Sequence, residues 1–146
     1  MNIFLLLLIS LIGHPHIQRD DIAQVEFTSM ARGYQERVVL TADSIIVSKQ
    51  DPNDRSVVNR FFTAMSKQEW RVVTKNFNET DWSAYEKLQS PTNKRAFDGA
   101  RHSTIMVTLS TGVTHAHTFD NEDPHPSMQE VMRCIQLLRE KTVGSR

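Results

Sequence analysis

The chain has 146 residues, with 17 Lys or Arg balanced by 17 Asp or Glu, so its formal charge at neutral pH is zero. A neutral chain has no broad basic field with which to grip nucleic acid or an anionic lipid surface. Cys134 is the single cysteine, which excludes an internal disulfide and leaves burial of apolar surface to hold the fold together.

Ahead of Arg19, the first charged side chain, runs the apolar stretch Ile3 to Ile12, closed by Gly13 and Pro15. About ten residues are too few to cross a bilayer core of ~30 Å as a helix, but they match the apolar region of a secretory signal. No Lys or Arg precedes the stretch and no small-x-small site stands before Arg19. The alternative is a buried N-terminal strand or helix. Export is the expectation: residues 1–18 a signal peptide, residues 19–146 a single domain, periplasmic or extracellular. With the leader removed, no transmembrane span is expected. His14 and His16 fall at the leader's end, and no cysteine follows closely enough for lipid attachment.

Val25 to Met30 alternates as a half-buried strand, and Ala31-Arg32-Gly33 breaks it. Glu36 to Thr41 and Ser44 to Lys49 are β-branched runs separated by Ala42-Asp43, a hairpin. Gln50 to Asp54 is a loop of turn formers, and Val57 to Thr63 predicts a fourth strand. Ser66-Lys67-Gln68-Glu69 is a capping box, behind which Trp70, Val73 and Phe77 share a helical face. Trp82, Tyr85 and Leu88 repeat that spacing, and Pro91 ends it. At helical spacing these aromatics are core rather than a stacking platform.

Thr104 to Leu109 alternates strictly, Thr111-Gly112 allows a tight turn, and Val113 to Phe119 returns. After an acidic, proline-punctuated loop, Ser127-Met128-Gln129-Glu130 forms a second capping-box pattern. Met128, Val131, Met132, Ile135 and Leu138 then make the apolar stripe of a final helix, with Cys134 as a small buried hydrophobe. The predicted fold is a two-layer α+β domain: a four-strand antiparallel meander and a C-terminal hairpin, packed against two or three helices.

Arg32-Gly33, Trp70, Pro91-Thr92, Arg95, Phe97-Asp98-Gly99-Ala100, Phe119-Asp120, Pro124 and Pro126 together carry a resemblance. From Val25 to Leu138 the chain resembles a family of short exported proteins of Gram-negative bacteria with no assigned activity. The resemblance implies a signal peptide and supplies no catalytic residues. The chain departs from the pattern at Asn121-Glu122-Asp123, where a glycine-rich stretch is usual, and at His115 and His117.

His115-Ala116-His117 is the sharpest chemical pattern. Two residues apart on a strand, both imidazoles share one face, with Asp120, Asp123 and His125 downstream to complete a zinc or copper site. The turn decides the face. A two-residue Thr111-Gly112 turn sets Thr108 opposite His115 and Met106 opposite His117, on the open side of the sheet. A three-residue turn drives both histidines into the core. The other cluster is Arg32, Arg95, Asp98 and Asp120, a candidate ligand-binding set, with Tyr34 and His102 nearby. Asp98 and His102 resemble the base half of a triad, but no nucleophile accompanies them. The expected function is therefore a non-enzymatic binding or interaction module, contacting its partner through a sheet edge or the loop Asp120 to Pro126. The alternative is a metal-binding protein using His115, His117 and either Asp120 or His125.

Overall fold

The computed structural model describes residues 22–97 and 99–144. The expected leader and Asp98 lie outside them. In chain order come β1 (Ile22–Ala31), β2 (Tyr34–Leu40), β3 (Ser44–Gln50), β4 (Val58–Ala64), α1 (Lys67–Thr74), α2 (Trp82–Tyr85), β5 (His102–Leu109), β6 (Thr114–Asp120) and α3 (Gln129–Gly144). The strands form one six-stranded antiparallel sheet in the order β4-β3-β2-β1-β5-β6. The meander and the hairpin thus join along β1, and the two-layer α+β domain is the observed architecture.

Alternation puts every second residue of each strand on the helix-covered face. Cross-strand pairing lines these residues up in rows. One row is Ile45, Leu40, Val25, Val107 and His115; the next is Phe61, Val47, Val38, Phe27, Ile105 and His117. Against them pack α3, whose Val131, Met132, Ile135 and Leu138 are buried, and the aromatic group Phe77, Trp82 and Tyr85. The opposite face carries Thr28, Thr104 and Thr118 and a bidentate ion pair from Arg37 to Glu26, at 2.7 and 2.8 Å. Among the described residues, no helix is long and apolar enough to cross a membrane.

The first capping box forms: the Ser66 hydroxyl accepts from the Glu69 N–H, and the Glu69 carboxylate accepts from the Ser66 N–H. The second does not. Pro126 opens a 3₁₀ turn over Pro126–Met128, so Ser127 already lies inside the first turn and cannot cap it. The His125 imidazole takes that place, its Nδ1 accepting from the Ser127 N–H at 3.3 Å, while Glu130 turns outward to Arg133.

Candidate functional site

The β5–β6 turn has three residues, not two. The Gly112 N–H donates to the Leu109 carbonyl and the Leu109 N–H to the Val113 carbonyl, both at 2.8 Å, with Gly112 at φ +86°. A two-residue turn would require positive φ at Thr111, which a β-branched residue resists; the third position hands that conformation to glycine. Val107 therefore pairs with His115 and Ile105 with His117. Of the two registers, the structure has the one with the three-residue turn: both histidines point into the helix layer.

There they are engaged separately. His115 stacks on Trp82 at 4.8 Å between centroids and donates from Nδ1 to Glu86 at 2.7 Å. His117 is buried against Phe119 and Tyr85, and its Nε2 accepts from the His125 backbone N–H at 3.0 Å. Nδ1 has no partner in hydrogen-bond geometry, though the Leu88 carbonyl acts on the ring from nearby. Burial, helped by His125 and Arg95, holds this imidazole below its ordinary pKa. His125 enters through its backbone and its capping Nδ1. Among the described residues no three His, Cys, Asp or Glu side chains are placed to hold one metal ion.

Of the candidate ligand-binding set, Arg95 and Asp120 meet and Arg32 does not join them. Asp120 is 1 % exposed. Its carboxylate accepts from the Thr92 hydroxyl, from the Lys94 N–H at 2.6 Å, and from the Arg95 guanidinium at 2.6 Å and N–H at 3.3 Å. Burial pushes this carboxyl up, but those donors outweigh it and hold the group well below the usual carboxylate range. Asp120 is thus a latch, not a free ligand group. Arg32 is exposed in the β1–β2 turn, and His102 is exposed at the start of β5. Asp98 lies outside the described residues. The loop after β6 is likewise committed: Glu122 binds Arg139 and Gln136, and Gln129 donates to Asp123.

The cluster that sequence reasoning missed lies one row beyond the apolar ones. On the same inner face, Lys49 pairs with Glu36, Glu36 with Ser29, and Ser29 with Ser103. Ser29, Glu36 and Ser103 are buried, and the two serine hydroxyls bond each other at 2.9 Å. Alternation carried this signal. Glu36 continues the face of Val38 and Leu40, Lys49 that of Ile45 and Val47, and an Ala42-Asp43 hairpin sets the two charges opposite each other.

Above this row, with the last turns of α3, opens a cleft of about 510 Å³ lined by Tyr34, Glu36, Lys49, Arg101, Glu122 and Arg139. Glu36 Oε2 accepts from the Tyr34 hydroxyl at 2.9 Å and from Arg139 at 3.1 Å. Lys49 Nζ sits 2.9 Å from Oε1 as an ion pair rather than an aligned hydrogen bond. Arg139 also donates to both oxygens of Glu122, at 2.8 and 3.3 Å. Arg101 lies over the Tyr34 ring, 5.0 Å from its centroid, with Glu122 at 3.5 Å. Burial, and then the Glu36 carboxylate beside it, push the Tyr34 phenol up to about 12, so it stays a neutral donor. Burial raises the Glu122 carboxyl, but Arg139 and Gln136 outweigh that and keep it below its ordinary value.

Among the described residues, no serine, cysteine or histidine lines this opening. It is equipped to hold and orient a polar ligand. A second cavity, about 430 Å³ between α1 and α3, is lined chiefly by Val72, Val73, Cys134, Leu137 and Leu138, with Glu69 and Lys141 paired at 2.6 Å near its rim. No family model, no curated protein and no solved structure matches this chain, so the resemblance drawn on Arg32-Gly33 through Pro126 rests on those residues alone.

Proposed function

We propose that the protein is an exported, non-enzymatic binding module that receives a small polar ligand in the cleft between the polar row of the sheet and the end of α3. The observation that carries this reading is the convergence of Lys49, Arg101 and Arg139 with Glu36 and Glu122 on one opening of about 510 Å³. A volume of this size is typical of small-molecule sites, and here charged groups make up most of the lining. A side chain that only completed a core would not need an opening to solvent beside it.

A fragment screen by NMR tests this, using small acids, amines and neutral polar compounds. The expected result is that hits shift the amides of Tyr34, Lys49, Arg101 and Arg139. Hits that map elsewhere, or hydrolytic turnover of any of them, would contradict the reading. Export is supported by the apolar run Ile3 to Ile12. Its test is the intact mass of the product made in a Gram-negative host, expected to lack the first residues up to about Arg19.

A further inference from the structure

The hydrogen-bonding groups of the cleft do not balance. Each carboxylate offers about four acceptor positions. Tyr34 and Arg139 both bond Oε2 of Glu36, with Lys49 as an ion pair beside Oε1; Arg139, Gln136 and Arg101 crowd Glu122. The donors are in surplus. A guanidinium carries five N–H groups and an ammonium three. Arg101 spends its guanidinium on one 3.5 Å contact to Glu122 and on the face of Tyr34. Lys49 makes one ion pair. Their side chains are 34 % and 37 % exposed, whereas Arg139, the saturated cation, is 14 % exposed.

From this surplus we infer that the cleft binds an oxyanion, the carboxylate or phosphate group of a small ligand, between Arg101 and Lys49. The inference rests on the cleft being the binding site. An anion there completes the donors that the protein's own carboxylates leave open, and charge-assisted bonds of this kind are the stronger ones. Stacking on Tyr34 already restrains the Arg101 guanidinium, so less side-chain freedom is lost on binding. The opposing influence is the rim formed by Glu140 and the C-terminal end of α3 at Val143 and Gly144. A helix end carries about half a charge and its effect fades within a turn. Glu140 adds a full negative charge, and with it the cleft's three cations and three carboxylates cancel, so the open N–H groups of Arg101 and Lys49, not a net positive charge, favour the anion.

The test is a protein-observed NMR titration of the purified protein at low salt with inorganic phosphate, succinate and, as the cationic arm, putrescine. Expected are saturable shifts at Tyr34, Lys49 and Arg101 with millimolar or tighter affinity for at least one anion. Shifts by phosphate alone would assign a phosphate group, by succinate alone a carboxylate. Arg101→Met should weaken binding by roughly tenfold, as loss of one charge-assisted contact does. Lys49→Met should weaken it too, while Lys49→Arg retains it. Added salt should weaken all of these. Putrescine acting where neither anion does would overturn the oxyanion and leave the cleft standing. No response to either anion overturns the inference as well, whereas only fragments mapping elsewhere remove the cleft itself. Variant melting curves by circular dichroism separate lost binding from lost folding.

Discussion

Asp120 fastens the irregular segment between α2 and β5 to the sheet. Glu86 meets His115, the Leu88 carbonyl acts on His117, and Thr92, Lys94 and Arg95 bind Asp120. This segment therefore packs along the side chains of β6, the edge strand of the sheet. Asp120→Ala leaves several half-buried donors without an acceptor, and a loss on the order of 2 kcal/mol is expected in urea unfolding. His117 sets a different dependence. Its folded-state pKa is lowered, so near the ordinary value of 6.5 the unfolded chain takes up a proton that the folded chain refuses. The associated stability is whole above about 6.5 and is lost as pH falls through that value toward the lower folded one. Urea midpoints should fall between about pH 7 and about pH 5, and His117→Gln should flatten that part of the profile. Asp120 acts in a more acidic window. Its stabilisation, present above 3.8, is lost as pH falls further.

Turn geometry decides what the elements present. Gly112 meets nothing within 4 Å where a Cβ would stand, so Gly112→Ala tests the φ of +86° alone. About 1–2 kcal/mol of stability should be lost, read by thermal or urea unfolding. Deleting Ser110 shortens the loop by one residue and would turn His115, His117 and Phe119 to the opposite face. The expected outcome is a protein without a cooperative melt. These elements show how much of the molecule was legible. Strand alternation and the first capping box gave the strands, the first helix and most of the core, because each is a local pattern with one physical solution. The histidine face depended on where a positive φ could fall, and Thr111 before Gly112 already spoke against the shorter turn. The latch on Asp120 joins residues 28 positions apart through an irregular segment. No periodicity predicts such a contact. Glu36 opposite Lys49 was readable from the Ala42-Asp43 hairpin, yet Arg139 and Glu122 reach that cluster only through tertiary packing.

At the scale of the whole molecule, the helix layer covers an apolar inner face that ends in a row of buried polar groups, and the cleft opens where that change occurs. The charges there have two tasks. Arg139, between Glu36 and Glu122, fastens α3 to the sheet, whereas Arg101 and Lys49 keep donors free for a ligand. Arg139→Met removes the partner that two carboxylates share, one of them fully buried, and should cost about 3 kcal/mol. Arg101→Met gives up one long ion pair and should cost less than about 1 kcal/mol. The most direct measurement compares these two variants by melting temperature and by affinity for phosphate or succinate. Arg101→Met is expected to melt close to the parent protein and lose anion binding, and Arg139→Met to melt well below it. Equal destabilisation of both, with anion binding intact in Arg101→Met, would contradict the assignment of the oxyanion to Arg101.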